Sequence, residues 1–328
     1  MTIVIATVAL SALLCGLYLL LARRWQLFDT PNSRSSHTLP TPHGGGAALI
    51  TAFILGLLAA GWLYGPWDSS LVLLALAAAL LGLLGIIDDL RGLSVRVRLA
   101  LYGLLCLLVA LVLLHPAWGS GLLYGGLAVA LATLSMLWFL NLYNFMDGID
   151  GIAAIQAVLA CVGAALLSGG VGSGSNYALF CLLLAASHLG FLLWNWPPAR
   201  LFMGDAGSVS TGFLLAALAL LGAVQGQLNA GCWLVFLAVF ITDTSCTLLW
   251  RMGTGQRFTR PHRLHAYQRL SRRWGSHLRV DLVLVAINLF WLYPLAWAVQ
   301  SWPGHALFLV ILAYLPLLLA MAKSGRLA

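Results

Sequence analysis

The sequence predicts an all-α, polytopic integral membrane protein with about 11 transmembrane helices. Only 8% of its 328 residues are charged, 62% are hydrophobic, and the mean hydropathy is +0.96. A soluble globular domain carries about 25% charged residues, so this composition indicates a protein surrounded by lipid. The chain also contains repeated apolar runs, and its basic residues are confined to alternate loops between them. These three observations predict the fold class.

The apolar runs define the predicted transmembrane helices. A helix that crosses ~30 Å of hydrocarbon needs about 20 mostly apolar residues. The first run is followed, not preceded, by arginines, so we expect a retained span and not a cleaved signal peptide. All six cysteines fall inside these runs without paired spacing, and we interpret them as reduced packing residues. The runs lie at about 3–22, 46–64, 70–87, 99–114, 121–140, 151–168, 177–194, 208–224, 231–250, 280–299 and 304–321.

The positive charges predict how the helices are oriented. All 17 lysine and arginine residues fall in alternate loops, whereas the opposite loops contain one charged residue, Asp68. By the positive-inside rule, we expect the N-terminus outside the cell and the C-terminus in the cytoplasm. The net charge of +8 therefore indicates membrane lipids and phosphate-bearing substrates as partners, and we expect no nucleic-acid partner.

One short stretch is unusually polar for its position. Residues 141–151 read NLYNFMDGIDG and place two amides and two carboxylates beside an apolar run. Lipid offers such side chains no hydrogen-bond partners, so polar groups at this depth are usually functional. The two Asp-Gly steps predict a turn at the end of the helix. The alternative is an ordinary interfacial loop, in which Asn, Asp and Gly are common.

Further aspartates fall on the same predicted cytoplasmic side. Adjacent carboxylates repel one another unless a cation or hydrogen bonds compensate. A cation held by one or two carboxylates and by substrate phosphates is typical of Mg²⁺, and nearby arginines would bind a second phosphate group. The sequence therefore predicts a magnesium- and phosphate-binding site formed from Asp88, Asp89, Asp147, Asp150, Asp205 and Asp243.

Each of these features also has a purely structural interpretation. Asp88 and Asp89 could end a helix in solvent, and Asp205 could cap the N-terminus of the next helix. The loop 251–279, which carries eight arginines, could serve only to set topology and bind lipid headgroups. We interpret His188, inside a predicted span, as a hydrogen-bonded packing residue.

Several motifs follow one another along the chain. They include Asp88-Asp89, the stretch 141–151 and Asp243. The others are PNSRSSH at 31–37, PTPHGG at 40–45, GDAGS at 204–208 and PHRLHAYQ at 261–268. This ordered set, which covers nearly the whole chain, resembles the polyprenyl-phosphate N-acetylhexosamine-1-phosphate transferases of glycosyltransferase family 4.

The resemblance implies an enzyme of the bacterial inner membrane with Mg²⁺, or alternatively Mn²⁺, as its cofactor. Such an enzyme transfers an N-acetylaminosugar-1-phosphate from a UDP-sugar to undecaprenyl phosphate and releases UMP. The expected architecture is one transmembrane catalytic domain over residues 1–328, and the family allows a homodimer. The active site is expected on the cytoplasmic face, in the loops at about 23–45, 88–98, 141–150, 195–207 and 251–279.

The resemblance also implies roles for individual residues. It assigns catalysis to Asp88, Asp89, Asp147 and Asp150, where Asp88 and Asp89 would position or deprotonate the lipid phosphate. Of these two, we predict that Asp88 is the positioning base. The resemblance assigns the metal to Asp205 and Asn144. The substrate-binding residues that it implies are His37, His43, Asn141, Asn144, His262, Arg263 and His265.

Some positions depart from the muramoyl-pentapeptide branch of that family. That branch has a lysine soon after its aspartate pair and a triple histidine in the late loop, where this chain has Arg91 and the segment 262–265, HRLH. Position 43 is histidine, where relatives often carry arginine. The departures at Arg91 and at 262–265 favour the branch that initiates O-antigen, lipopolysaccharide and related cell-wall polymers.

Three other functions remain as alternatives. A transporter or lipid flippase would need ionisable residues near the bilayer midplane and usually an internal repeat, and neither is evident. An intramembrane aspartyl protease needs Gly-x-Gly-Asp, but position 202 is Phe202. A CDP-alcohol phosphotransferase needs Asp-Gly-x-x-Ala-Arg, but Ile155 stands in place of the arginine. Release of UMP that depends on polyprenyl phosphate would separate the proposed transferase from all three.

Overall fold

The computed structural model describes residues 1–31, 39–115, 122–169, 175–256 and 263–324. These residues are helical apart from connecting loops and one short strand pair, which confirms the predicted all-α fold class. The order is α1 (Thr2–Arg24), β1 (Phe28–Asp29), β2 (Thr41–Pro42), α2 (Gly46–Tyr64), α3 (Ser69–Arg91), α4 (Val95–Leu113), α5 (Leu122–Met146), α6 (Ile152–Leu167), α7 (Asn176–Asn195), α8 (Asp205–Val224), α9 (Ala230–Phe236), α10 (Ala238–Gly253), α11 (Ala266–Trp274), α12 (His277–Ile287), a π-helical turn (Asn288–Leu292), α13 (Tyr293–Ser301), a 3₁₀ turn (Pro303–His305) and α14 (Ala306–Ser324).

All of the predicted apolar runs appear as helices, but two differ from a simple span. In the described part of the chain, nine helices are long and apolar enough to cross a membrane, with 277–301 counted as one. The predicted span 231–250 is instead the pair α9 and α10, which meet at an angle of 71°. Helix α6 has only 16 residues, which at ~1.5 Å per residue is shorter than the hydrocarbon core.

Helix boundaries follow local sequence signals in several places. Ser94 and Ser175 precede α4 and α7, and each side-chain oxygen accepts a hydrogen bond from an amide in the first turn. Gly92 ends α3 in the left-handed conformation, with φ of 66°. The bend between α9 and α10 has no such signal, because the backbone leaves the helical region at Leu237 without a nearby proline or glycine.

Helix α8 packs against α2, α3 and α5, and α7 packs against α1 and α6. Two glycines allow the close contacts at the start of α8. A Cβ atom on Gly46 of α2 would lie 2.2 Å from the Gly207 nitrogen, and one on Gly85 of α3 would lie 2.5 Å from the Ala206 Cα atom. No larger side chain fits at either place, so α2 and α3 approach α8 backbone to backbone.

The segment after α1 is an ordered, non-helical connection in its described parts, as the sequence predicts. Phe28 pairs with Pro42, and Asp29 with Thr41, in the antiparallel strand pair. The chain then runs beside residues 202–203 through backbone hydrogen bonds: the Phe202 amide donates to Pro42 (2.8 Å), and the amides of 45 and 46 donate to the carbonyls of 202 and 203 (2.9 and 2.7 Å). These bonds fix the connection against the start of α8.

The cysteines and His188 take the structural roles predicted for them. All six cysteines are free thiols. His188 is buried, with its ring nitrogens 2.8 Å from the Leu184 carbonyl oxygen and 2.9 Å from the Thr211 hydroxyl oxygen. Both contacts lie within the helix bundle, which is typical of a satisfied packing histidine.

Candidate active site

A cavity of about 510 Å³ lies between the ends of α3, α5 and α7 and the starts of α8 and α12. Five aspartates line it, namely Asp29, Asp89, Asp147, Asp150 and Asp205, whereas no lysine or arginine within the described ranges does. The cavity is therefore strongly acidic. It gathers six residues that the sequence analysis assigns to the site, namely His43, Asp89, Asn144, Asp147, Asp150 and Asp205.

Asp205 is the first residue of α8, and both of its carboxylate oxygens accept hydrogen bonds. The Asn144 side-chain amide donates to Oδ1 at 2.9 Å, and the Arg98 guanidinium donates to Oδ2 at 3.1 Å. The same Asn144 nitrogen lies 2.8 Å from the Ser208 hydroxyl oxygen. This arrangement leaves the Oδ1 atom of Asn144, and the second lone pairs of the Asp205 carboxylate, as potential metal ligands.

Asp205 does not cap its own helix, so the structural alternative for this residue is wrong. Gly204 is the N-cap residue, with φ of 74°, and has no side chain with which to form a cap bond. Instead, the amide of Asp205 donates to the Asp89 carboxylate at 3.3 Å. A Cβ atom at position 204 would lie 2.8 Å from Asp89 Oδ2, so only glycine combines this backbone conformation with this approach.

The neighbouring aspartates of α3 have different environments. Asp89 lines the cavity, and its buried Oδ2 atom has no hydrogen-bond partner among the described residues. Asp88 is buried outside the cavity lining and accepts hydrogen bonds from the Arg98 guanidinium and from the Leu93 amide (2.6 Å). Because Arg98 also bonds Asp205, it links the two carboxylates.

Asp147 follows the last residue of α5 and faces three other cavity carboxylates. Burial raises the pKa of Asp147 to about 7, and the negative charges of Asp205, Asp89 and Asp150 act in the same direction. The carboxyl group therefore binds a proton as the pH falls through about 7. A cation in the cavity would favour the charged form and compete with that proton.

Asp150 lies in the turn after α5, and its carboxylate is beside one backbone amide and a histidine. Its Oδ2 atom accepts a hydrogen bond from the Ala199 amide at 3.0 Å and lies 3.2 Å from His277 Nδ1. The next amide, that of Gly151, donates to the Asn195 side-chain oxygen at 2.9 Å. His277 and Asn195 both line the cavity. These bonds fix the turn that carries Asp150.

The structure does not bring three other predicted substrate residues to the cavity lining. Asn141 donates to the Leu137 carbonyl of its own helix at 2.7 Å. His265 is buried, with Nδ1 3.3 Å from Asp243 Oδ1, and the Arg263 carbonyl accepts a bond from Arg272. His37 and His262 lie outside the described residues, so their predicted roles remain predictions.

Asp243 anchors α11 and does not line the cavity. Its carboxylate accepts hydrogen bonds from the Ala266 and Tyr267 amides, at 2.9 and 3.0 Å, which begin that helix. The Tyr267 hydroxyl then donates to the Phe145 carbonyl at 2.8 Å, and Gln268 lines the cavity. A buried carboxylate thus holds the helix that closes over the end of α5.

Several residues of the site were given no role in the sequence analysis, among them Asp29, Arg98, Asn195, Ser208 and His277. Arg98 was counted only as a topogenic charge, because its partners Asp88 and Asp205 belong to other helices. His277 carried a local signal, since an aspartate follows it at i+4. Ser208 belongs to a recognised motif but was not given a role.

The cavity residues fit a hard divalent cation. The described residues contain no group of three or more His, Cys, Asp or Glu side chains arranged to hold a metal. Mg²⁺, however, is commonly bound through one or two carboxylates, with water and substrate phosphates supplying the other ligands. Asp205 and the unpartnered oxygen of Asp89 meet that requirement.

Comparison with known proteins places this geometry in context. The family model described as "Glycosyl transferase family 4" matches residues 45–223. A probable undecaprenyl-phosphate N-acetylglucosaminyl 1-phosphate transferase of Bacillus subtilis (strain 168) is 29% identical, over 79% of this chain and 74% of the relative. A decaprenyl-phosphate N-acetylglucosaminephosphotransferase of Mycobacterium leprae (strain TN) is 31% identical, over 82% and 76%. A phospho-N-acetylmuramoyl-pentapeptide-transferase of Synechococcus sp. (strain JA-3-3Ab) is 32% identical, over 90% of each chain.

Proposed function

This chain belongs to glycosyl transferase family 4, and from that premise we propose that it transfers an N-acetylaminosugar-1-phosphate from a UDP-sugar to undecaprenyl phosphate. The names of the similar proteins describe transfer of amino-sugar phosphates, two of them to a polyprenyl phosphate. The helical bundle suits an acceptor with a long hydrocarbon tail, because such a lipid remains in the bilayer during the reaction. UMP is the second product.

The observation that carries this proposal is the charge of the cavity. Five carboxylates and no described lysine or arginine line it, yet a UDP-sugar carries a diphosphate. Without a cation, such a substrate would be repelled. We therefore propose Mg²⁺, with Mn²⁺ as the alternative, held by Asp205 and Asn144 with Asp89 nearby. The bound metal would neutralise the diphosphate and stabilise the departing UMP.

The chemistry proposed for the protein residues is positioning and charge control. An oxygen of the lipid phosphate forms a bond to the sugar-linked phosphorus. The bond from that phosphorus to the bridging oxygen breaks, and UMP leaves with the electron pair. The second pKa of a phosphate monoester is about 6, so the acceptor needs no covalent activation near neutral pH.

The two aspartates of α3 have different roles in this proposal. Asp89 lines the cavity, so we assign it the positioning of the lipid phosphate that the sequence analysis gave to Asp88. Asp88 acts through Arg98, which it shares with Asp205. Asp147 and Asp150 bind the nucleotide side of the substrate from the turn after α5.

We place the reaction on the cytoplasmic face of the bacterial inner membrane, at the initiating step of O-antigen or a related cell-envelope polymer. The support for the location is the distribution of the 17 basic residues, and the support for the branch is the HRLH segment at 262–265. A flippase is a weaker alternative, since the aspartates that line the cavity lie near helix ends and in turns, not at mid-helix.

Purified protein offered undecaprenyl phosphate, Mg²⁺ and a panel of UDP-N-acetylaminosugars tests the proposal. We expect release of UMP with at least one sugar, only when the lipid phosphate and the cation are both present. The matched control is protein with Asp205→Asn. Absence of UMP with every sugar, from protein that is folded and supplied with both cosubstrates, would overturn the proposed function.

A further inference from the structure

A carboxyl group buried in α12 is not used by the reaction described above. Asp281 has no exposed surface, and neither of its oxygens has a hydrogen-bond partner among the described residues. An isolated polar group inside an apolar bundle costs free energy, and a charged one costs more. Buried polar groups of this kind are rare in folded proteins and call for an explanation.

The location of Asp281 connects it to the cavity wall. A Cβ atom on Gly151 would lie 3.0 Å from Asp281 Oδ2, so the carboxyl group lies directly against the turn that carries Asp150. Gly151 has φ of 80°, a conformation that favours glycine. The turn is thus held from one side by Asn195 and bounded on another by Asp281.

The same helix supplies His277 to the cavity. His277 is the first residue of α12, where the Ser276 hydroxyl oxygen accepts a hydrogen bond from the Arg279 amide. Asp281 follows it by four residues, so the two side chains lie on one face of α12, one turn apart. His277 Nδ1 lies 3.2 Å from Asp150 Oδ2. Asp281 therefore lies against the turn that carries Asp150 and one helical turn away from His277.

We propose that Asp281 is a positioning residue, whose buried carboxyl group packs against the Asp150–Gly151 turn and orients the neighbouring His277 imidazole electrostatically, in the arrangement that binds the nucleotide sugar. This inference rests on the proposed function and extends it to α12. A packing role alone would not require a carboxyl group, because leucine has a similar shape. Because an unpaired buried carboxyl group costs free energy, its replacement by an apolar residue of similar shape should not destabilise the fold.

A double-mutant cycle tests the coupling. The variants are Asp281→Asn, which keeps the shape, His277→Asn, and the two together. For each single variant we expect KM for the UDP-sugar to rise about tenfold while kcat stays within about twofold, as for loss of ground-state binding. If Asp281 acts through His277, the double variant has the same KM as His277→Asn alone. A double variant whose KM rises by the product of the two single increases would overturn the proposal.

A second measurement tests this proposal even if the proposed reaction is wrong. Titration of each variant with UMP and with UDP-N-acetylglucosamine, in the presence of Mg²⁺, gives dissociation constants that need no turnover. We expect the same non-additive weakening there, even if no UDP-sugar of the panel releases UMP. If Asp281→Asn does not fold, Asp281→Leu replaces it in the cycle. An Asp281→Leu protein with unchanged KM and nucleotide affinity would overturn the proposal.

Discussion

The side-chain amide of Asn144, at the end of α5, donates a 2.9 Å hydrogen bond to Asp205 at the start of α8. We expect Asn144→Ala to lower kcat/KM by about 10–100-fold, as is typical when a residue that orients a metal ligand is removed. Asn141→Ala is the matched control, because the Asn141 side-chain amide bonds to the backbone of its own helix. We expect this variant to change kcat/KM very little. Comparable losses in both variants would restore the substrate role that the sequence analysis gave to Asn141.

Asp205 itself should be indispensable. Asp205→Asn removes the charge opposite the proposed cation, so UMP release should fall by about 10²–10³-fold or more. Asp205→Glu should also be poor, since octahedral Mg²⁺ tolerates little change in ligand reach. Activity measured against Mg²⁺ concentration checks both, with the remote Asp68→Asn as control. A folded Asp205→Asn enzyme with near-normal activity and unchanged Mg²⁺ dependence would exclude this residue as the ligand.

The contact between α3 and α8 should tolerate no added methyl group. Gly85→Ala would place a Cβ atom 2.5 Å from the Ala206 Cα atom, and we expect a loss of about 1–3 kcal/mol in stability. Activity should fall as well, because Asp89 lies one turn further along the same face of α3. Gly126→Ala, which meets no atom within 4 Å, is the control and should keep or raise the melting temperature. Equal melting temperatures would show that the helices separate easily.

The orientation predicted from the arginines can be measured with reporter fusions. A reporter after Ala328 should be active only in the cytoplasm, and one inserted in the loop 168–176 only outside. The reverse pattern would place the aspartate cavity on the outer face of the membrane. In that case the proposed use of a cytoplasmic nucleotide sugar would fail as well.

Direct displacement should leave a kinetic signature. Because Asp89 is expected to position an acceptor that is already anionic, initial-rate patterns should be sequential in UDP-sugar and lipid phosphate. Labelled UMP should not exchange into UDP-sugar when the lipid is absent. Ping-pong patterns, or a sugar-phosphorylated aspartate trapped from UDP-sugar alone, would instead make an α3 aspartate the nucleophile.

The sequence alone located four of the five carboxylates that line the cavity, because Asp89, Asp147, Asp150 and Asp205 stand beside apolar runs, but it missed Asp29. It could not distinguish Asp88 from Asp89. Neighbouring residues on a helix point about 100° apart, and only the packing of α3 against α4 and α8 shows which side chain faces the cavity. The bend at Leu237 was hidden for a similar reason, since no local residue marks it.

The contributions of Arg98 and Asp281 depend on contacts distant in sequence. Arg98 joins residues of α3 and α8, and its Asp205 partner is 107 positions away. Asp281 adjoins a glycine 130 positions earlier in the chain, counted from 151 to 281. A pattern within one segment identifies which residues can do chemistry, whereas the tertiary packing decides which of them meet.

The backbone hydrogen bonds between residues 42–46 and 202–203 form part of the cavity wall without using any side chain. His43 lies within this segment and lines the cavity. The backbone path of the segment is set by main-chain hydrogen bonds and does not depend on the His43 imidazole. Replacement of His43 by arginine would change the charge that a ligand meets, while the backbone of the segment stayed in place. The backbone of this wall is therefore set independently of the side chain at position 43. That side chain, and with it the substrate preference, can change at little cost to folding.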